Sequence, residues 1–295
     1  MHARATRIAA VSNPDRVLWP ETGTTKAELV EYYADVAPVL LPHLTGRAVT
    51  LRRFPDGVDA VGWYQTSCPP GAPEWVRTRT VEGRGRAFAM CLVEDLATLL
   101  WAANLGTIEF HPFLWRGEDV RPTALVLDLD PGPPAGLPEA AHVGLRLRDL
   151  LAGLGLEAFP KTSGAAGLHV YVPLDGEAPF AATKGLARTL ALTLEAEEPE
   201  LVIAAQRRSL RRGKVLVDWL QNDAWRSTVA AYSLRALPWP TVSTPVAWNE
   251  LEEAVAAERP ELLLFEPADV LERIQRLGDV FRPVLGVRQA LPRSY

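Results

Sequence analysis

Two aspartates at the end of an apolar run carry the clearest chemical signal in this sequence. Asp128 and Asp130 lie one residue apart in 124-ALVLDLDPG-132. Because side chains alternate between the two faces of a strand, both carboxylates point to the same side and repel each other unless a cation neutralises them. Carboxylate oxygens are ligands that suit magnesium and manganese. The pattern predicts a divalent metal site; the alternative is that Asp128 caps the following loop and Asp130 faces solvent.

A third aspartate lies in a similar apolar setting. Asp218 stands inside 215-VLVDWLQN-222, where a buried carboxylate needs a partner or a metal ion. Three carboxylates on buried strands can hold two metal ions about 3.5–4 Å apart, an arrangement that activates a hydroxyl group and stabilises a leaving pyrophosphate. The reaction class that these residues indicate is phosphoryl or nucleotidyl transfer.

A glycine-rich loop adds a candidate phosphate site. In 161-KTSGAAGLHVYV-172 the loop runs into a predicted strand, and Lys161 and His169 flank it. Loops of this kind expose backbone N–H groups that can bind phosphate oxygens; an ordinary hairpin turn with His169 on a strand face is the alternative. His111, in 106-GTIEFHPFLWR-116, is a further candidate, although a lone histidine is more often structural.

Composition and charge exclude some classes of protein. The chain has 295 residues, of which 48% are hydrophobic, so we expect a folded protein with one large domain or two fused lobes. The formal net charge of −5 counts against nucleic-acid binding, but an acidic protein can still present a basic cleft. A basic cluster lies between positions 207 and 214, comprising Arg207, Arg208, Arg211, Arg212 and Lys214. A solvated hairpin face is the other interpretation of this cluster.

The predicted location follows from the signals that the sequence lacks. No apolar stretch reaches the roughly 18–20 residues that cross a bilayer, and the N-terminal residues lack the apolar core of a signal peptide. The two cysteines, Cys68 and Cys91, predict no disulfide framework and no cysteine-based zinc site. We therefore expect a cytoplasmic protein without membrane contact.

Hydrophobic periodicity and turn residues predict alternating helices and strands around these candidates. A helix is expected over 23–44, where Thr25 and Glu28 form a capping-box pattern. Further helices are expected over 92–106, about 138–153, about 179–197 and about 248–277, and strands over 47–57, 107–115, 123–130, 168–174 and 214–221. The alternation predicts an α/β or α+β class. The proline-rich segment 236–246 is interpreted as an ordered loop that wraps the core and not as a domain boundary.

Taken together, the motifs resemble one known family. The matching stretches are 13-NPDRVLWPETGTTKAELVEYY-33, 42-PHLTGRAVTLRRFPDG-57, 106-GTIEFHP-112, 125-LVLDLDPG-132, 161-KTSGAAGLHVYVPL-174, 214-KVLVDWLQN-222 and 227-STVAAYSLRA-236. In order and content they resemble the primase-like polymerase domain of bacterial ligase D, within the archaeo-eukaryotic primase superfamily. The resemblance implies a single catalytic domain over 1–295, with its core at about 10–290. It also implies two mixed-sheet lobes, flanked by helices, with the active site between them.

The resemblance implies roles for individual residues. Asp128, Asp130 and Asp218 match the metal-binding carboxylates of the family, and His111 matches a histidine of the active site. The residues predicted to bind the nucleotide are Lys161, Ser163, His169, Gln221 and Arg235. The residues predicted to bind DNA are Arg16, Lys26, Arg52, Arg53, Trp63 and Tyr64. Arg16 and Lys26 fall where the family binds the 5'-phosphate of a broken end, and the aromatic pair falls near residues that stack on template bases.

The activity implied by the resemblance is metal-dependent addition of nucleotides to a primer 3'-hydroxyl at gaps or broken DNA ends, in non-homologous end joining. The implied enzyme is a DNA-directed DNA or RNA polymerase that prefers ribonucleotides and uses two divalent metal ions, manganese or magnesium. Its implied partners are gapped or overhang DNA with a 5'-phosphate, NTP or dNTP, Ku and a DNA ligase, and its implied location is cytoplasmic and nucleoid-associated. The chain departs from the family at Ala165, Ala166 and Thr66, where many relatives have a lysine at or near the position.

Two other functions remain open from the residues alone. The first is a phosphohydrolase that uses the Asp-x-Asp pair as nucleophile and acid, although that chemistry usually begins on a strand near the N-terminus. The second is a non-catalytic module that binds DNA ends. The three carboxylates argue against the second function, because a pure binder gains nothing from negative charge that faces DNA.

Overall fold

The computed structural model describes residues 10–83 and 86–292. Its α-helices are α1 (Lys26–Leu44), α2 (Leu96–Asn104), α3 (Leu137–Gly153), α4 (Phe180–Glu197), α5 (Trp248–Ala256), α6 (Pro267–Leu277) and α7 (Pro283–Gly286). Its strands are β1 (Val17–Trp19), β2 (Thr24–Thr25), β3 (Ala48–Arg53), β4 (Trp63–Gln65), β5 (Thr78–Gly83), β6 (Arg86–Leu92), β7 (Thr107–Pro112), β8 (Ala124–Pro131), β9 (Phe159–Thr162), β10 (Leu168–Pro173), β11 (Val202–Ile203) and β12 (Val215–Asp218). The mixed α/β class expected from the sequence is confirmed.

The chain divides into two compact units, each assembled from three chain segments. Unit 1 contains the chain up to Phe113, Ser227–Val242 and Glu266–Gly278. Unit 2 contains Leu114–Arg226, Ser243–Phe265 and the chain from Asp279 onward. The chain passes from unit 1 to unit 2 between Val242 and Ser243. The segment 236–246 is a loop, as expected, and this passage between the units lies within it. A single catalytic domain over the whole chain, without a domain boundary in this loop, stays a prediction.

Unit 1 is built on an antiparallel sheet in which β3 pairs with β4, β6 and β7, and β5 pairs with β6. The predicted capping box of α1 is confirmed, since the backbone N–H of Thr25 donates to Glu28 Oε2 (2.7 Å) and the N–H of Glu28 donates to Thr25 Oγ1 (3.3 Å). The buried face of α1 places Tyr33 edge-on against Phe110 of β7, with ring centroids 4.9 Å apart. The Tyr33 hydroxyl donates to the carbonyl of Ile108 (2.5 Å). Helix and sheet are thus fixed to each other by both packing and a buried hydrogen bond.

A disulfide joins the segment after β4 to strand β6 in unit 1. Cys68 bonds to Cys91 of β6, with their Cα atoms 4.9 Å apart. The backbone N–H of Cys68 also donates to the carbonyl of Ala89 (2.6 Å), which holds the two segments side by side. From only two cysteines, the sequence predicted no disulfide framework. The structure has this single disulfide, which the sequence did not reveal because the spacing of two cysteines says nothing about their proximity in the sheet.

Unit 2 is built on a five-stranded sheet with the order β11-β12-β8-β10-β9. The central strand β8 runs antiparallel to both β12 and β10. Its side chains Leu125, Val126, Leu127 and Leu129 are fully buried, which explains the near-continuous apolar run in the sequence. The two aspartates that interrupt this run lie at the end of the strand. β12 pairs with β8 at both of them, whereas β10 pairs with β8 at Asp128 and no further than Leu129.

The strand that carries Asp218 is shorter than the sequence predicts. β12 ends at Asp218, and a 3-10 turn, Trp219–Gln221, follows. Asp218 Oδ1 accepts a hydrogen bond from the backbone N–H of Leu220 (2.9 Å), so its side chain caps the turn. The predicted strand over 214–221 is therefore wrong beyond Asp218, and Gln221 lies on the turn.

The C-terminal helical prediction is correct only in part. Instead of one helical stretch over about 248–277, the structure has α5, a 3-10 turn at Pro260–Leu263, and α6. Pro260 and Pro267 each begin a new element, because proline is accepted at a helix start and breaks a helix interior. Within the described ranges, none of the helices has the length and apolar character that a membrane crossing requires.

Candidate active site

A row of polar residues crosses the sheet of unit 2. Asp218 of β12 lies directly opposite Asp128 of β8, which lies opposite His169 of β10, which in turn lies opposite Lys161 of β9. Residues directly opposite each other in antiparallel strands share one face of the sheet. Asp130 belongs to the same face because it is two residues beyond Asp128. The sheet therefore brings together three carboxylates, a histidine and a lysine from four strands.

The amide of Gln221 is shared between two of the carboxylates. Its Nε2 lies 3.3 Å from Asp128 Oδ2 and 3.4 Å from Asp218 Oδ2. His169 Nε2 approaches the other oxygen of Asp128, at 3.4 Å. Gln206 Nε2 donates to Asp218 Oδ1 (3.0 Å). Asp128 and Asp218 are thus close enough to contact one small donor group together; their binding of a cation stays a prediction.

Asp130 contacts a different partner, the guanidinium group of Arg211. Arg211 Nη1 lies 3.4 Å from Asp130 Oδ2, and its Nη2 donates to the carbonyl of Gln206 (2.7 Å). Burial raises the pKa of Asp130, the charge of Arg211 opposes this rise, and the charge of Asp218 adds to it. Within the basic cluster of 207–214, Arg211 therefore contacts one of the three carboxylates, that of Asp130.

The donor chemistry of the three aspartates fits a hard divalent cation, since all the ligand atoms are carboxylate oxygens. The side chains do not already converge on one point. Among residues 10–83 and 86–292, no group of three or more His, Cys, Asp or Glu side chains is arranged to hold a metal ion. Asp130 faces Arg211, while Asp128 and Asp218 face Gln221.

The glycine-rich loop of unit 2 closes on itself around Ser163. Ser163 Oγ accepts hydrogen bonds from the backbone N–H groups of Ala165 (3.1 Å) and Gly167 (3.2 Å). A Cβ on Gly167 would lie 2.5 Å from the carbonyl oxygen of Leu129, so only glycine lets the loop pack against β8. Two of the N–H groups that the sequence offered to phosphate are therefore already bonded to Ser163.

Lys161, which was predicted to bind the nucleotide, is buried and already has a hydrogen-bond partner. Its side chain is fully buried, and its Nζ donates to Ser243 Oγ (2.6 Å). The predicted contact with nucleotide stays a prediction for Lys161, Ser163 and His169. Of these, His169 is the one that contacts a carboxylate of the row.

A second polar cluster lies in unit 1 around Glu109, a residue that the sequence motifs did not single out. His111 Nε2 lies 2.7 Å from Glu109 Oε2, and Arg52 Nη1 donates to Glu109 Oε1 (2.6 Å). Arg235 Nε lies 3.3 Å from the same Oε1, which also accepts from the backbone N–H of Ala236 (2.9 Å). We call Glu109, His111, Arg52 and Arg235 the Glu109 cluster. It joins three residues whose roles were predicted separately.

The charge states in the Glu109 cluster follow from burial and from these donors. Burial opposes ionisation of Glu109, but the hydrogen bond from His111, the charge of Arg235 and the hydrogen bond from the backbone N–H of Ala236 hold the pKa of Glu109 well below its usual range. Burial lowers the pKa of His111, and the hydrogen bond to Glu109 only partly offsets this. Glu109 is therefore ionised and His111 neutral at pH 7.

The predicted DNA-binding aromatics are exposed beside this cluster. Trp63 and Tyr64 of β4 are 42% and 59% exposed. Arg53 stacks over Trp63 at 5.1 Å from the ring centroid, and Arg52 over Tyr64 at 5.3 Å. The ring of Tyr64 also meets His111 edge-on, with centroids 5.5 Å apart. Four of the six predicted DNA-binding residues thus lie together on β3 and β4.

The other two, Arg16 and Lys26, contact residues outside β3 and β4. Arg16 forms an ion pair with Asp56 and donates to the carbonyl of Pro55 (3.1 Å). Lys26 Nζ donates to the carbonyl (2.7 Å) and the Oγ (2.8 Å) of Ser12. Burial lowers the pKa of Lys26, and the charge of Arg16 adds to this effect.

Comparison with known proteins decides the family. The family model described as "LigD, primase-polymerase domain" matches residues 25–281. The chain belongs to this family. The multifunctional non-homologous end joining protein LigD of Mycolicibacterium smegmatis is 38% identical to it over 277 residues, which are 93% of this chain and 36% of that protein. The bifunctional non-homologous end joining protein LigD of Bacillus subtilis is 30% identical over 268 residues, which are 90% of this chain and 42% of that protein.

A solved structure of the LigD family supports the same assignment. The chain described as "Polymerase Domain from Mycobacterium tuberculosis Ligase D in complex with DNA" matches with a TM-score of 0.89 and 38% identity. The match covers 96% of this chain and all of that one. The LigD polymerase-domain fold implied by the sequence is therefore confirmed. The chain spans well under half of the length of its curated LigD relatives.

Proposed function

We propose that this chain is a metal-dependent nucleotidyltransferase that adds nucleotides to a primer 3'-hydroxyl at DNA gaps and broken ends. The observation that carries the proposal is the group of three carboxylates on one face of the sheet of unit 2, Asp128, Asp130 and Asp218, which we call the carboxylate row. Asp128 and Asp218, directly opposite each other on neighbouring strands, share the amide of Gln221. Membership of the LigD primase-polymerase family supports the same reaction class.

Asp128, Asp130 and Asp218 would hold the metal ions in this proposal. Two divalent metal ions, manganese or magnesium, lower the pKa of an attacking hydroxyl group and stabilise a leaving pyrophosphate when bound. Gln221 and His169 orient Asp128 from two sides, and Gln206 together with the N–H of Leu220 orients Asp218. Arg211 neutralises Asp130. Each of the three carboxylates is therefore contacted by at least one neighbouring donor group.

The nucleotide and DNA contacts are proposed from the resemblance and from position. His169 and Ser163 would bind the phosphates of the incoming nucleotide, for which a ribose is preferred. The resemblance also assigns nucleotide binding to Arg235. The exposed pair Trp63 and Tyr64 would stack on template bases, as sequence-independent binding requires. Arg16 and Lys26 would bind the 5'-phosphate of the broken end, and Arg52 and Arg53 the DNA backbone.

The biological setting is proposed from the relatives. The matched LigD proteins are named for non-homologous end joining, and the matched solved structure is a complex with DNA. We propose that this chain fills gaps at broken ends in the same process, with Ku and a DNA ligase as partners, in the nucleoid region of the cytoplasm.

Primer extension on gapped DNA tests the proposal. With manganese present, we expect the protein to extend the primer, to use ribonucleotides better than deoxyribonucleotides, and to lose activity when the 5'-phosphate is removed. Asp128→Ala is expected to lower extension by about 10²–10³-fold and to keep DNA binding, because it removes only charge stabilisation at the reacting groups. Asp149→Ala, at an exposed aspartate of α3 paired with Arg148, is the matched control and should extend normally.

Extension by Asp128→Ala at the rate of the wild type would contradict the proposed role of the carboxylate row. Wild-type protein that binds the gapped DNA tightly but adds no nucleotide would favour a binding module instead.

A further inference from the structure

Glu109 is the buried centre of the polar cluster in unit 1. Its side chain is 1% exposed, whereas the side chains of its partners are 27% (Arg52), 17% (Arg235) and 10% (His111) exposed. A ligand at the surface can therefore reach the partners but not Glu109. Any effect of Glu109 on a bound substrate must act through the groups that it holds.

The strand pairing explains why Glu109 collects these partners. Arg52 of β3 lies directly opposite Glu109 of β7, and His111 is two residues along the same strand. All three side chains therefore share one face of the sheet. The segment Ser227–Val242, which belongs to the same unit, brings Arg235 and the N–H of Ala236 to Glu109 Oε1.

The two carboxylate oxygens of Glu109 contact different partners. Oε1 accepts from Arg52 and Ala236 and lies 3.3 Å from Arg235 Nε, whereas Oε2 contacts His111 Nε2. Because an ionised carboxylate can only accept, His111 must donate through Nε2. The neutral ring is therefore fixed as the Nε2–H tautomer, with Nδ1 as its acceptor.

The net charge of the Glu109 cluster also bears on what it can bind. One carboxylate faces two guanidinium groups and a neutral imidazole, so the Glu109 cluster keeps a net charge of about +1 while its guanidinium groups are held in fixed directions. A cluster of this charge suits the phosphates of a nucleotide or of a DNA backbone.

We propose that Glu109 is a positioning residue for the nucleotidyl transfer proposed above, on which this inference rests: it sets the tautomer of His111 and fixes the guanidinium groups of Arg52 and Arg235. A role in folding alone is the competing account. That role would lower stability, but it would leave the His111 tautomer and the KM for nucleotide unchanged.

The isosteric variant Glu109→Gln separates the two accounts. Three donors surround the position of Oε1, so the glutamine carbonyl should take that position and turn its NH₂ group toward His111. His111 Nε2 must then accept, and the ring should change to the Nδ1–H tautomer. Long-range ¹H–¹⁵N NMR of the histidine side chains, recorded without substrate, measures this change directly.

Kinetics supply the second readout. We expect Glu109→Gln to raise the KM for nucleotide and to lower kcat/KM by about 10- to 100-fold, because small displacements of positioning groups have effects of this size. Glu109→Asp keeps the charge but reaches one methylene less far. It should retain the Nε2–H tautomer and raise KM by a smaller factor. Glu94→Gln, which alters a carboxylate of unit 1 paired with Arg77, is the matched control and should match the wild type.

The outcomes distinguish this inference from the proposed function. Absence of primer extension by the wild type overturns the proposed function, and the positioning role falls with it. If the wild type is active but the Glu109→Gln variant keeps both the Nε2–H tautomer of His111 and the wild-type KM for nucleotide, only the positioning role is overturned. If Glu109→Gln does not fold, a wild-type KM in Glu109→Asp overturns it in the same way.

Discussion

A single buried amide, that of Asn222, fixes the turn that follows β12. Its Oδ1 accepts from the backbone N–H of Val126 (2.9 Å), and its Nδ2 donates to the carbonyl of the same residue (2.6 Å). Val126 belongs to the central strand β8, and Asn222 therefore continues the hydrogen-bond ladder beyond the end of β12. The neighbouring Gln221 is kept within reach of Asp128 and Asp218 by this contact.

Replacement of Asn222 tests this contact. We expect Asn222→Ala to lower the free energy of unfolding by about 1–3 kcal/mol, because a buried backbone N–H and carbonyl lose their partner. Primer extension should fall as well, since Gln221 is no longer held against the carboxylates. Urea unfolding measures the first effect, with Asn249→Ala on the exposed face of α5 as the matched control. Equal stability of the two variants would contradict the assigned role.

Residue types and spacing alone predict part of the candidate site. Asp128, Asp130 and Asp218 stand out because carboxylates are rare in apolar strands, and the fold brings them to one face. Glu109 was missed because Arg52 and Ala236, which donate to it, come from distant parts of the chain, and Gln206 was missed because it lies outside the motifs. One local signal could have revealed Glu109: it lies two residues before His111 in an apolar strand, on the same face.

At the scale of elements, Gly132 lets the basic segment after β11 pass close to the end of β8. A Cβ at Gly132 would lie 2.1 Å from the carbonyl oxygen of Arg211. The backbone N–H of Gly132 donates to the carbonyl of Lys214 (2.8 Å), so the two segments are bonded at this point. The glycine of 125-LVLDLDPG-132 thus brings Arg211 to Asp130.

Substitution of Gly132 tests this close approach. Gly132→Ala is expected to destabilise the protein by about 1–3 kcal/mol, because the added methyl group meets backbone that cannot move without distortion. Gly153→Ala, in α3, has open space around the added methyl group and should be neutral or stabilising by up to about 1 kcal/mol. Thermal or urea unfolding compares the pair. A neutral Gly132→Ala would show that the segment does not depend on this contact.

The elements predicted from local signals were the most accurate. The start of α1 follows from Thr25 and Glu28, whose capping box is formed by residues close in sequence. The end of β12 did not follow from the sequence, because an apolar run through Leu220 looks like a continuing strand. The turn forms there since Asp218 caps it and Asn222 bonds to another strand, and periodicity reports neither contact.

At the scale of the whole molecule, the order of motifs predicted the LigD polymerase-domain fold with two lobes, but the chain segments that make up each unit were not predicted. Each unit is assembled from three chain segments, so its limits depend on contacts between residues far apart in sequence. The passage between Val242 and Ser243 lies inside a proline-rich stretch that resembles an ordinary loop. Each unit contains one cluster of candidate site residues. Unit 2 has the row of Asp128, Asp218, His169 and Lys161 with the adjacent Asp130, and unit 1 has the Glu109 cluster.

Pyrophosphate release during primer extension is the measurement that tests the central claim most directly. The account predicts pyrophosphate in equal amount to the nucleotide added, only when primed DNA is present. Chelation of divalent metal should abolish both products, and added manganese should restore them. Asp218→Asn should lower both by about 10²–10³-fold with DNA binding retained. Undiminished extension by Asp218→Asn, or phosphate release from small phosphoesters without DNA, would contradict the account.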